Sequence, residues 1–158
     1  VVFWAVAAIG GVIVPLNAWG TGPELEYGIS DSGSKVVIVD HERLDRIRPH
    51  LKALGLNGLV AVRTPEDELG VAESFETLVG KPADYAKLSG DPLPDPGLDP
   101  EDDATIFYTS GTTGKPKGAL GTQRNICTNF MNAMLGGAFG SGAGGISPRR
   151  RKVRAPPS

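Results

Sequence analysis

Apolar positions come in short runs whose period changes along the chain. The opening run, "VVFWAVAAIGGVIV", carries no charge. Gly10-Gly11 divides it into a helix ending near Ile9 and a short β-branched strand in "VIVPLN", both expected to be buried. Next, "TGPELEYGI" has the marks of a helix start. Thr21 can cap it, Glu24 sits where a side chain reaches back, and Pro23 lies in the first turn, where a missing N–H costs nothing. Gly33 is the matching stop. "KVVIVD" is a near-continuous apolar run of the kind found in strands covered on both faces. A helix from about Glu42 to Leu54 gathers Leu44, Ile47, Leu51 and Leu54 on one side, with a kink at Pro49. "GLVAVRT" is the next strand. Alternating strands and helices predict an α/β fold with a largely parallel sheet and flanking helices.

From Thr64 to Asp103 the chain becomes acidic and proline-rich, with "SFETLVG" as its helix candidate and "GDPLPDPGLDPEDD" as an extended surface segment. "ATIFYTS" and "GALGT" then read as strands on either side of a polar loop. "TQRNICTNFMNAML" reads as a helix capped by Thr122 or Asn125. The expected organisation is an ordered part over 1–135 and a Gly/Arg/Pro-rich tail over 136–158, too poor in apolar residues to fold.

The chain has 158 residues, 22% of them charged and 40% hydrophobic, which are globular rather than disordered values. Its net charge of -2 combines an acidic body with the basic "RRRKVR" near the end, a distribution unlike a nucleic-acid-binding surface. The apolar opening run is shorter than the roughly 20 residues that cross a bilayer, so no transmembrane segment is expected. The single cysteine, Cys127, excludes an internal disulfide framework. It suits a reducing, cytoplasmic setting, and its helical context predicts a buried thiol. His41 and His50 lack ligand-spaced partners, which favours solvated or structural roles over metal binding.

The candidate chemistry lies in "YTSGTTGKPKG", Tyr108 to Gly118. A polyphosphate needs converging donors, close backbone approach and positive charge at neutral pH. Thr109, Ser110, Thr112 and Thr113 supply hydroxyls able to meet phosphate or Mg²⁺. Gly111, Gly114 and Gly118 lack Cβ and let successive N–H groups turn toward one anion. Lys115 and Lys117 supply charge on either side of Pro116. A Walker loop is the weaker reading, because Thr109 stands where its first glycine belongs and Pro116 where Ser or Thr follows the lysine.

"YTSGTTGKPKGAL" resembles the phosphate-binding signature of the adenylate-forming superfamily, and within it acyl-CoA synthetases most. "GGVIVPLNAWGTGPELEYGISDSGSKVVIVD" and the lead-in "DPEDDATIFYTSGTTG" are similar to the same enzymes, so the likeness covers most of Val1 to about Leu135. The resemblance implies ATP with Mg²⁺, a carboxylate activated as its acyl adenylate with loss of pyrophosphate, and transfer to coenzyme A. It implies that Thr109 to Gly118 hold the β and γ phosphates, with the hydroxyls and Lys117 as main instruments and Lys115 as a more mobile one. The chain departs from the family at Gln123, where most members have His. The acyl pocket, the acidic Mg²⁺ ligand and the late catalytic lysine lie in segments this sequence does not contain. The resemblance therefore implies no catalytic residue within these 158 positions, and an inactive fragment.

Of the 19 residues from Gly140 to Ser158, 13 are Gly, Ala, Arg or Pro, the composition expected of a GC-rich gene read in a shifted frame. The rival reading is a non-catalytic, truncated module that binds a nucleotide or a partner. A small self-sufficient hydrolase would need Mg²⁺ ligands, and Asp102 and Asp103 read better as the polar lead-in to a strand.

Overall fold

The computed structural model describes residues 2–110 and 114–142. The chain divides into two compact units, residues 1–123 and 124–158.

Helix α1 (Val2–Ala8) stops at Gly10, whose φ of +76° suits glycine. The strand expected in "VIVPLN" is reduced to one parallel bridge. Ile13 donates its N–H to Ala104 O, and its carbonyl accepts from Ile106 N–H, both at 2.9 Å. Pro15 has no N–H with which to extend the ladder. The expected burial of this opening run is not met: no residue of α1 is buried and Trp4 is 59% exposed. A helix apolar on all sides needs neighbours on all sides.

Helix α2 (Gly22–Asp31) begins as the sequence predicts. The Glu24 carboxylate accepts from the Thr21 N–H at 2.7 Å and the Thr21 hydroxyl at 2.9 Å. Those bonds hold its pKa below the usual carboxylate value. Gly33, at φ +66°, closes the helix, and Ser34 N–H returns to Ile29 O at 3.1 Å.

Strand β1 (Val36–Asp40) leads into α3 (His41–Ile47), where Asp40 caps by accepting from Arg43 N–H at 3.0 Å. The long helix expected to kink at Pro49 is interrupted there. A 3₁₀ turn over Arg48–His50 separates α3 from α4 (Leu51–Leu54), as a proline without an N–H dictates. Strand β2 (Gly58–Val62) pairs parallel with β1 from Val36↔Gly58 to Asp40↔Val62, and the short β3 (Glu73–Ser74) adds parallel to β2. Helix α5 (Phe75–Val79) and a 3₁₀ stretch over Pro82–Lys87 follow, then an exposed extended segment reaching Asp103.

The core is the sandwich of α2 and α3 on this parallel sheet: Leu25, Ile29, Val37, Leu44, Ile47, Leu59, Ala61 and Ala72. Around it, Arg43 Nε and Arg46 Nη1 donate to Ala18 O at 2.8 and 3.1 Å, fastening the turn before α2. Helices α2 and α3 approach closely at Gly22, where a Cβ would meet Arg46 O and His50 Nε2, each at 2.7 Å. Gly22→Ala should therefore lower unfolding stability by about 1–3 kcal/mol, the usual cost of overpacking. An unchanged melting temperature would show instead that the helices separate freely.

Candidate functional site

Strands β4 (Asp103–Thr109) and β5 (Lys117–Thr122) form an antiparallel hairpin, separate in pattern from the parallel sheet. Its register places Tyr108 opposite Gly118 and Thr109 opposite Lys117. Successive side chains alternate between faces, so the Thr109–Lys117 pair lies on the face away from Tyr108. The two strands thus deliver a hydroxyl and an ammonium side by side where the loop begins and ends. Thr109, Ser110, Gly114, Lys115, Lys117 and Gly118 are all exposed. Gly111, Thr112 and Thr113 lie outside the described residues.

The two described loop glycines are there for different reasons. Gly114 has φ +106° with open space around it, so conformation requires glycine. At Gly118 the constraint is packing, because a Cβ would come within 2.6 Å of Ile106 Cγ2. Among the described residues, neither Lys115 nor Lys117 has a carboxylate partner.

Behind the loop stand residues the sequence did not single out. Helix α2 turns Leu25 and Ile29 into the core, and its Tyr27 and Asp31, again four apart, meet the hairpin. Tyr27 donates its hydroxyl to Pro116 O at 3.2 Å, and Lys115 Nζ lies 5.2 Å from the centre of its ring. The Tyr108 ring meets that of Tyr27 edge-on, with centroids 6.4 Å apart, and its hydroxyl donates to Asp31 Oδ2 at 2.6 Å. A cavity of about 250 Å³ opens here, lined in part by Leu16, Asn17, Tyr27, Tyr108, Ser110 and Pro116. The i, i+4 spacing of Tyr27 and Asp31 was visible in the sequence. Their partner, 77 residues from Asp31, was not.

Burial, then the hydrogen bond to Asp31, pushes the Tyr108 phenol up to about 12 from 10.0. A raised folded-state value means that the contribution is whole below pH 10 and is lost as pH rises toward 12. Tyr108→Phe should flatten the fall in stability across that window. An unaltered alkaline unfolding profile would remove Tyr108 as its source.

The remaining candidates resolve simply. Asp102 Oδ2 accepts from Asp99 N–H at 2.8 Å and its carbonyl from Gln123 N–H at 2.9 Å, the lead-in role expected of it. Gln123 Nε2 is buried without a hydrogen-bond partner among the described residues. His50 Nδ1 meets Glu26 at 2.5 Å and His41 Nε2 meets Glu68 at 3.1 Å, so each histidine has a carboxylate neighbour. No cluster of His, Cys, Asp and Glu among the described residues could hold a metal. Helix α6 (Gln123–Gly142) extends past Leu135 into the segment assigned to the tail, of which 143–158 lies outside the described residues. Cys127, expected to be buried, is exposed, as are Phe130, Met131 and Met134 of the same helix. The apolar spacing that predicted the helix does not by itself supply a cover. Among the described residues no helix is long and apolar enough to cross a membrane.

Comparison with known proteins bears on the family and the fold. The family model "AMP-binding enzyme" matches residues 1–144. The mouse malonate–CoA ligase ACSF3, mitochondrial, is 41% identical over 123 residues, covering 78% of this chain and 18% of that protein. 4-Hydroxybutyrate–CoA ligase 2 of Metallosphaera sedula is 34% identical over 139 residues, 84% of this chain and 24% of that protein. Among solved structures, the anthranilate CoA ligase AuaEII in complex with anthranoyl-AMP superposes with a TM-score of 0.63 at 27% identity, over 77% of this chain and 22% of that one. A long-chain-fatty-acid-CoA ligase from Archaeoglobus fulgidus shares the fold with a TM-score of 0.67 at 23% identity, over 87% of this chain and 25% of that one. The chain thus spans between 18% and 24% of the length of these curated relatives. On the match across 1–144, more than half of its length, the chain belongs to the AMP-binding enzyme family.

Proposed function

We propose that the hairpin loop from Thr109 to Gly118 holds the β and γ phosphates of ATP in an acyl-CoA synthetase of which this chain is the N-terminal piece. The observation that carries this reading is the pair of lysines with no carboxylate partner among the described residues, set on a hairpin that ends in a positive-φ glycine. Uncompensated ammonium groups beside hydroxyls and open backbone suit an anion, and a polyphosphate matches the loop's length and charge.

Each residue has a definable part. Thr109 and Lys117, fixed opposite one another by the ladder, grip the anion from the two strand ends. Ser110 adds a hydroxyl beside the cavity. Gly114, at φ +106°, lets the chain turn back toward the second strand, and the proposal extends to Gly111, Thr112 and Thr113 from the sequence alone. ATP supplies the activated phosphorus that a carboxylate attacks, and the loop stabilises charge on the departing pyrophosphate. Within this chain the threonine and serine hydroxyls would offer oxygens to the Mg²⁺ that accompanies the phosphates. In the whole protein coenzyme A then accepts the acyl group. The lone cysteine fits a cytoplasmic setting.

Calorimetry on the 158-residue chain tests the reading. MgATP and inorganic tripolyphosphate should both bind weakly and compete, and adenosine should bind far less. Adenosine binding as well as ATP would locate recognition at the base and overturn it. Incubation with ATP, coenzyme A and a panel of carboxylates should give no acyl-CoA, and any turnover would refute the assignment of an inactive piece. The alternative, a partner-binding module, makes the basic tail matter: deleting 143–158 should then abolish a salt-sensitive association.

A further inference from the structure

The signature accounts for the loop but not for what fixes its outgoing limb. Four contacts converge on Tyr27 and its neighbour in α2: the hydroxyl bond to Pro116 O at 3.2 Å, the Lys115 ammonium 5.2 Å over the ring, the edge of Tyr108, and the Tyr108 hydroxyl on Asp31 at 2.6 Å. Tyr108 belongs to the incoming strand and Pro116 to the outgoing limb, so a single helix fastens both sides of the loop. That helix is anchored in the core through Leu25 and Ile29. Lys117 is fixed by the strand ladder, whereas Lys115 sits in the loop and has the Tyr27 ring as its resting place.

We infer that Tyr27 is a positioning residue for anion capture: it sets the outgoing limb through Pro116 and parks Lys115 on its ring, from which the ammonium transfers to an arriving phosphate. This rests on the reading of the loop as a phosphate site. A cation over an aromatic face is held strongly enough to be ordered in the free protein, yet weakly enough to be displaced by a multiply charged anion.

The test uses the full chain with ¹³C-labelled lysine, the Lys115 signal being assigned by Lys115→Arg. In the free protein its ε-methylene should resonate upfield of the other lysines because of the ring current, and tripolyphosphate should return it to the ordinary position. Tyr27→Phe keeps the ring and loses the bond to Pro116, so the upfield position should persist while tripolyphosphate binds about fivefold more weakly, the effect of one neutral hydrogen bond. Tyr27→Leu should lose the upfield position as well and bind more weakly still. A Lys115 signal at the ordinary position in the free wild type, or wild-type affinity in both variants, overturns the inference and leaves the phosphate site standing. Failure of the wild type to bind tripolyphosphate would sink the phosphate reading itself, and the inference with it.

Discussion

Lys117→Met should reduce the affinity of the chain for tripolyphosphate by about 10- to 100-fold, the loss expected for one hydrogen bond to a charged group of about 1.5–3 kcal/mol. The size follows from where the ammonium is held. Lys117 is the first residue of β5, paired with Thr109, so its backbone is ordered before any anion arrives. Little conformational entropy then opposes binding. Lys115→Met should cost less, about two- to threefold, because its loop backbone is not held in a ladder and more of it must be ordered on binding. Raising salt should narrow the difference between the variants, since the lost term is largely Coulombic and the site is exposed. Titrating wild type and both variants at two ionic strengths decides the matter. Equal losses for the two lysines would mean that the strand pairing does not preorganise either.

The strand-helix order, the capping of α2 by Thr21 and Glu24, the stop at Gly33 and the break at Pro49 were all legible in the sequence. Each depends on residues within a few positions of one another. The two strands that flank the signature loop were legible for the same reason, lying in one continuous stretch. Two kinds of feature were not. The support of the loop by Tyr27 and Asp31 joins residues 89 and 77 positions apart, and only the hairpin register shows that Tyr108 faces α2. Burial also failed to follow from pattern: α1 and α6 have the expected apolar spacing, yet Trp4, Cys127 and Met134 are exposed. Periodicity identifies the side of a helix that needs cover, and says nothing of what covers it.

Leu44→Ala should cost about 2–5 kcal/mol of unfolding free energy, the range for a large side chain removed from a closed core. Leu44 and Ile47 are the largest side chains with no exposure at all, and both lie on α3 against the parallel sheet and α2. A domain of this size has only about 5–15 kcal/mol in hand when complete, so this one change removes a large part of it. Its reach extends to the candidate site. The same cluster holds Leu25 and Ile29, and these residues set the pitch of α2, from which Tyr27 and Asp31 fasten the two limbs of the hairpin. Loosening the core should therefore weaken tripolyphosphate binding as well as lower the melting temperature. Leu93→Ala, at a side chain 72% exposed, is the matched control and should change neither. If Leu44→Ala lowered the melting temperature and left phosphate affinity untouched at a temperature where the chain is folded, the hairpin would be self-supporting. Its aromatic contacts with α2 would then be a consequence of the fold rather than a condition of binding.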